Sequence, residues 1–356
     1  MSNEFLTELK RIGQQVTDYI VNYPAIANVH PEYLRKGVLF YVLKGGKRLR
    51  PAMLLWACEA VGGDPKLALP AAAAIELSHT WTLVHDDIID NDDLRRGGPS
   101  MHAYFRESWK NQVEAPQLDA WSRDLAMLVG DVQQAMATSM LNSLDPAINR
   151  DLVTWLIGDL AMNWVTKVLD GEMLDMEYSL RPLDAIKEDD ILAMLSKKTA
   201  STLAWCGRTG VLLGINKLDP ENEFVKLIED VCWEAGLAFQ LQDDILGIIG
   251  NEAELGKPVG SDICEGKRTV LVTYAYQHAT NEQKKLLKSV LGNHKATPEE
   301  ISAVQDILHT SGSIDYVHQL AQQYAERASQ LLSKFPPSSA KEYLEEWISF
   351  ITQRKY

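Results

Sequence analysis

The chain has 356 residues, 46% of them hydrophobic and 24% charged. These are globular proportions, and they exclude a largely disordered protein. Its 35 basic and 49 acidic residues leave a formal net charge of −14, which argues against non-specific nucleic-acid binding and against an anionic membrane surface, since both need a basic footprint.

The opening MSNEFLTELK has no basic stretch followed by an apolar one, so no signal peptide is expected. Apolar runs such as residues 52–58 and 71–75 fall far short of the ~20 residues of a membrane span. Cys58, Cys206, Cys232 and Cys264 are far apart and form no C-x-x-C. Reduced thiols in a cytoplasmic chain are therefore expected, rather than a zinc site or a disulfide framework. Periodicity is helical nearly throughout, with no alternating strand bounded by turn residues. Breaks at Gly45-Gly46, Gly62 to Pro65, Gly97 to Pro99, Asp145-Pro146, Asp219-Pro220 and Phe335 to Pro337 divide the chain into ten or more helices. Near the C-terminal end, Thr297 reads as an N-cap, with Pro298 at the first helical position and Glu300 placed for a capping box. Val317, Leu320, Ala321, Tyr324, Ala328 and Leu331 then form one apolar stripe. No linker or repeat appears. The expectation is a single all-α domain over residues 1–356.

Four sequence elements carry chemistry. Residues 44–51, KGGKRLRP, place four cations around two glycines ahead of a helix that Pro51 can begin, so that Lys47 and Arg50 could grip an anion. Basic turns are also common on surfaces. Residues 71–90, AAAAIELSHTWTLVHDDIID, read as a long helix ending in Asp86, Asp87 and Asp90. Asp86 and Asp90 share a face four residues apart, and three crowded carboxylates call for a divalent cation such as Mg²⁺, which takes hard oxygen ligands together with substrate phosphates. Arg95 and Arg96 follow, suited to phosphate; the bland alternative is an acidic helix end with compensating arginines. Lys198-Thr199 pairs a cation with a hydroxyl. Residues 239–269, FQLQDDILGIIGNEAELGKPVGSDICEGKRT, repeat the theme, with Gln240 on the same face as Asp243, then Asp244, Lys257 and Lys267.

In their order and spacing these motifs resemble the trans-isoprenyl diphosphate synthases, or polyprenyl synthetases, from about Gly45 to Thr269. The resemblance implies an antiparallel helical bundle around a deep central cavity, usually a homodimer, that condenses isopentenyl diphosphate head-to-tail with an allylic diphosphate. By position it implies two or three Mg²⁺ ions per active site, with Asp86, Asp87, Asp90 and Asp243 as metal residues and Asp244 close by. Arg95, Lys198 and Lys257 would hold the allylic diphosphate. Lys47, Arg50, His79 and Arg96 would hold isopentenyl diphosphate. Thr199 and Gln240 would line the reacting end, and Lys267 belongs to the substrate-binding set. A lone histidine on an apolar helix is otherwise more often a core residue.

Two positions depart from the family pattern. Gly247 stands where many members carry a third aspartate in the second motif, and weaker Mg²⁺ affinity at that site is the expectation, not loss of activity. Glu172, in GEMLD, stands where glutamine is frequent. For product length, Trp81, five residues before Asp86, with Thr82 and Ser78 beside it and no insertion in the aspartate motif, resembles the archaeal-type geranylgeranyl diphosphate synthases; farnesyl diphosphate is the near alternative. A class I terpene cyclase would need only one diphosphate site and usually has an Asn/Ser/Glu second motif. A regulatory prenyltransferase subunit usually loses aspartates from the first motif.

Overall fold

The computed structural model describes residues 2–249 and 260–353. Among these the chain is all-α apart from one two-stranded pairing. It divides into two compact units. The first comprises Met1–Ala161, Cys206–Val225 and Pro336–Leu344, and the second Met162–Trp205, Lys226–Phe335 and Glu345–Tyr356. No helix of the described residues is long and apolar enough to cross a membrane.

The first unit is organised on α4 (Pro65–Ile89). Asp64 caps it by accepting from the Lys66 N–H at 2.9 Å, Pro65 occupies its first position, and residues 71–75 and Leu77 are fully buried. α4 packs against α1 (Asn3–Val21), α3 (Leu49–Ala60) and α6 (Ala115–Asn142). The small alanine face lets neighbouring helices approach closely. α4 ends where Asn91 turns left-handed, at φ 64°. Arg123 of α6 reaches back to that end, donating to the Ile88 carbonyl at 3.2 Å and to the Asn91 side chain.

The strand pairing lies immediately beyond. Leu94–Arg95 pairs with Gly98–Pro99 across Arg96 and Gly97, both with positive φ, 55° and 70°. Two left-handed residues in a two-residue loop make a type I′ hairpin, and glycine at 97 removes half its steric cost. Sequence periodicity could not register strands two residues long.

The second unit contains α8 (Val165–Leu180), α9 (Glu188–Leu195) and a π-helical turn over Ser196–Ala200. Near its C-terminal end lie α15 (Pro298–Thr310) and α16 (Ser313–Leu332). The capping box at the start of α15 forms as expected: Glu300 N–H donates to Thr297 Oγ at 3.3 Å and Thr297 N–H to Glu300 Oε2 at 2.8 Å. On α16, Val317, Ala321 and Ala328 are buried, but the last turn rotates the stripe so that Leu332 is buried and Leu331 only partly so.

Candidate functional site

In the first unit the aspartate motif is held together by its own neighbours. Asp86 and Asp90 lie one turn apart, joined by the Asp90 N–H donating to the Asp86 carbonyl at 2.8 Å, and both side chains are half-buried. Asp87 turns inward and is fully buried. Tyr41, on α2 (Glu32–Leu43), donates its hydroxyl to Asp87 Oδ2 and accepts from the Met101 N–H at 2.7 Å. Arg95 Nε donates to Asp87 Oδ1 at 2.6 Å, and its outer nitrogen reaches Asp86 Oδ2 at 3.2 Å. Burial raises the Asp87 carboxyl to about 6 against the pull of Arg95. The Arg95 guanidinium is itself shifted up: burial opposes its charge, but Asp87 and Asp86 overrule it.

The type I′ turn aims the two arginines differently. Arg95 points back to the aspartates, whereas Arg96 donates to the Tyr41 carbonyl at 3.2 Å and to the Gly45 carbonyl. Gly46, at φ 141°, holds a backbone conformation that L side chains rarely adopt, and the Arg96 guanidinium lies 2.9 Å from where its Cβ would be. The four cations of KGGKRLRP also separate. Arg48, left-handed at φ 51°, is buried; it pairs with Glu76 of α4 and donates to the Val42 carbonyl at 2.5 Å. Lys44 lies 4.3 Å above the Phe40 ring and donates to the Pro99 carbonyl at 2.6 Å. Lys47 is exposed and Arg50 half-buried.

His79, also on α4, is half-buried. Burial first, and then the positive charges of Arg50, Arg96, Arg95 and Arg48, hold its imidazole well below the ordinary value. It is therefore neutral near pH 7 and can exchange hydrogen bonds without adding charge. Trp81 is 6% exposed and meets His85 edge-on at 5.6 Å. Gly130 of α6 faces both rings: a Cβ there would meet His85 Nε2 at 2.4 Å and Trp81 Cδ1 at 3.1 Å. Ser78 is fully buried, and the Thr82 hydroxyl donates to the His79 carbonyl at 2.8 Å.

In the second unit, Lys198 and Thr199 lie in the π-helical turn, a distortion frequent at functional positions. Lys198 Nζ lies 2.7 Å from Glu172 and 2.8 Å from Asp175, both on α8. The turn packs so tightly on α8 that a Cβ at Gly171 would meet the Lys198 backbone nitrogen at 2.4 Å. The Thr199 hydroxyl donates to Gln240 Oε1 at 2.9 Å, and Gln240 Nε2 donates to Asp244 Oδ1 at 2.9 Å. Gln240, Asp243 and Asp244 belong to α11 (Glu223–Ile249). Asp244 is 8% exposed, and its Oδ2 has no hydrogen-bond partner among the described residues. Its carboxyl is raised to about 8, first by burial and then by the charges of Asp262, Asp243 and Asp175, against the Gln240 hydrogen bond. Lys267 pairs with Glu265 at 2.8 Å and lies 3.7 Å from Asp262. Lys257 lies outside the described residues.

Within each unit the structure thus groups residues that the sequence motifs singled out, and it adds partners they did not. Tyr41 carried no sequence signal. Glu76 did: it is the one charged side chain in residues 71–78, an otherwise uncharged run. Asp175 lies three residues beyond Glu172, one turn along the same face of α8.

Comparisons with known proteins identify the family and the fold. A family model described as polyprenyl synthetase matches residues 32–308. A geranylgeranyl diphosphate synthase of Saccharolobus solfataricus is 36% identical over 313 residues, covering 87% of each chain. Among solved structures, a geranylgeranyl pyrophosphate synthetase from Pyrococcus horikoshii superposes with a TM-score of 0.84 at 30% identity, over 99% of both chains. A geranylgeranyl pyrophosphate synthase from Corynebacterium glutamicum, complexed with isoprenyl diphosphate and magnesium, gives 0.86 at 26% identity, again over 99% of both.

Proposed function

The chain belongs to the polyprenyl synthetase family, and on that premise we propose that it is a magnesium-dependent trans-prenyltransferase that condenses isopentenyl diphosphate with allylic diphosphates, releases diphosphate, and ends at geranylgeranyl diphosphate. The observation that carries the reading is the pairing, within each unit, of carboxylates with cations suited to phosphate: Asp86 and Asp87 with Arg95, and Glu172 and Asp175 with Lys198. The whole chain is read as one catalytic domain, since it passes back and forth between the two units and the family match includes residues of both.

The donor set fits magnesium. Its members are hard carboxylate oxygens, crowded enough to repel one another, and Asp244 Oδ2 is a buried acceptor with no partner among the described residues. Asp86, Asp90 and Asp243 would hold the ions, two or three by family resemblance, with Asp87 and Asp244 beside them. Bound there, magnesium would supply Lewis acidity to the departing diphosphate oxygens.

The protein's own groups do the rest. Arg95, Lys198 and Lys257 hold the allylic diphosphate and stabilise the negative charge that grows on it as the allylic carbon–oxygen bond breaks. Asp87 and Tyr41 orient Arg95 for that task. Lys47, Arg50 and Arg96 hold isopentenyl diphosphate electrostatically, and neutral His79 adds a hydrogen bond. The alkene then attacks the allylic cation, and a proton leaves to the released diphosphate, so no dedicated protein base is required. Thr199, fixed through Gln240, lines the reacting end, and Lys267 completes the substrate-binding set. Apolar walls exclude the water that would capture the cation. Trp81, with Ser78 and Thr82, sets the floor that ends elongation. These local cations attract two diphosphates against the net negative charge of the chain.

The enzyme is further proposed to be a homodimer. On α8, Leu169, Met173, Met176 and Leu180 are exposed at helical spacing, an apolar stripe suited to a second copy of the chain. A cytoplasmic location is supported by four free cysteines, three of them buried.

The deciding experiment is incubation with isopentenyl and dimethylallyl diphosphates, with magnesium or EDTA, followed by chromatography of the dephosphorylated products. Geranylgeraniol formed only with magnesium is the expected result. No prenyl product at any magnesium concentration overturns the assignment.

A further inference from the structure

The two adjacent arginines of the hairpin are held by different kinds of partner. Arg95 is fixed by the carboxylates of Asp87 and Asp86, whereas Arg96 donates to backbone oxygens, the Tyr41 and Gly45 carbonyls at and just past the end of α2. Both of the Arg96 bonds use Nη1, which leaves Nη2 and Nε for a phosphate. Where Arg96 stands therefore depends on how the end of α2 sits against the hairpin.

Lys44 fixes that placement from the other direction. It is the C-cap of α2, and its Nζ donates to the Pro99 carbonyl, in the second strand of the hairpin, at 2.6 Å. The amine lies so close to that strand that a Cβ built on Gly98 would be 3.0 Å from it. The side chain is also seated on aromatic rings. Nζ is 4.3 Å from the Phe40 ring centre and 5.5 Å from that of Tyr41, and Phe40 packs in turn on Tyr104 of α5 (Met101–Trp109) at 4.5 Å. The exchange is reciprocal: the hairpin gives α2 the Arg96 guanidinium, and α2 gives the hairpin the Lys44 amine. The negative end of the α2 dipole favours both cations there.

We propose that Lys44 is a positioning residue for isopentenyl diphosphate: by latching the Pro99 carbonyl to the end of α2, it sets the Arg96 guanidinium for that substrate. This rests on the prenyltransferase reading above. The allylic side is spared, because the two carboxylates that hold Arg95 belong to α4 and its end, not to the end of α2.

The test reads the two substrates separately, by steady-state kinetics on full-length variants, with thermal melting as a folding control. Lys44→Met keeps the stem on Phe40 and loses the donor. Its KM for isopentenyl diphosphate is expected to rise about tenfold, with kcat and the KM for the allylic substrate within about twofold of wild type. Lys44→Arg keeps both the donor and the ring contact and should stay within about threefold throughout. In an Arg96→Met background, Lys44→Met should add less than about twofold, because its effect passes through Arg96. An unchanged isopentenyl diphosphate KM in folded Lys44→Met overturns the inference, and so does an arginine variant as impaired as the methionine one. An equal rise for both substrates also overturns it, since that marks general loosening, as does the full effect added on top of Arg96→Met, which marks direct contact of Lys44 with substrate. Should Lys44→Met melt early, Lys44→Gln, which also lacks the charge and the reach, carries the same test. Wild-type protein that forms no prenyl product with magnesium overturns the functional reading, and the inference falls with it.

Discussion

Replacing Glu76 by glutamine tests which arginines of KGGKRLRP serve the fold and which serve a substrate. Arg48 and Glu76 form an ion pair in which each side chain is 3% exposed. The amide would keep the shape and one acceptor but leave the guanidinium charge buried with only the Val42 carbonyl and an amide oxygen around it. Breaking a buried pair by removing one partner costs about 3–5 kcal/mol, and the retained acceptor places this case near 3. The unfolding entropy of a 356-residue chain is roughly 0.75 kcal/mol/K. A loss of about 3 kcal/mol therefore lowers the melting temperature by about 4 °C. The double replacement Arg48→Met with Glu76→Leu removes both charges and should return to within about 1 kcal/mol of wild type. It should also keep the KM for isopentenyl diphosphate within about threefold, because Arg48 is committed to Glu76 and offers the substrate nothing. The assay is urea unfolding followed by circular dichroism, alongside steady-state kinetics. An unchanged Glu76→Gln midpoint, or a double variant less stable than the single one, would refute the reasoning.

Three further predictions address the site. Trp81→Ala should shift the product beyond geranylgeranyl diphosphate, read by chromatography, at a stability cost of about 3–5 kcal/mol for the emptied space; an unchanged product distribution places the floor elsewhere. Gly171→Ala would drive a methyl into the backbone at Lys198, which cannot yield as a flexible side chain would. A destabilisation of about 1–3 kcal/mol with a lower kcat is expected, and a variant that melts and turns over like wild type would contradict the tight packing of the π turn. His79, held below its ordinary value by burial and the arginines, contributes stability that is complete above the unfolded value of about 6.5 and is lost as pH falls through and below it. His79→Gln should flatten that acid-side loss in urea midpoints measured across pH, and equal slopes for the two proteins would show that His79 titrates normally.

The amino-acid sequence alone determined the features that depend on neighbours along the chain. The capping box at Thr297, the helix through residues 71–90 and the one-turn spacing of Asp86 and Asp90 follow from side-chain hydrogen bonding to the nearby backbone and from a period of 3.6 residues. The family motifs were legible for the same reason, as dense short strings of charged residues and glycine. Only the tertiary structure decided which charged groups face each other. Arg48 and Arg50 are two residues apart and chemically alike, yet Arg48 is committed to a carboxylate 28 residues away, and Asp87 is turned inward by a tyrosine 46 residues away. The short helix Ser261–Glu265 starts at the end of α11, where the Gly260 N–H reaches the Gly247 carbonyl at 3.4 Å. Periodicity is a property of the local backbone. Desolvation and the choice of ionic partner are set by packing between distant segments, because charge energies depend on separation in space and on the water that packing removes.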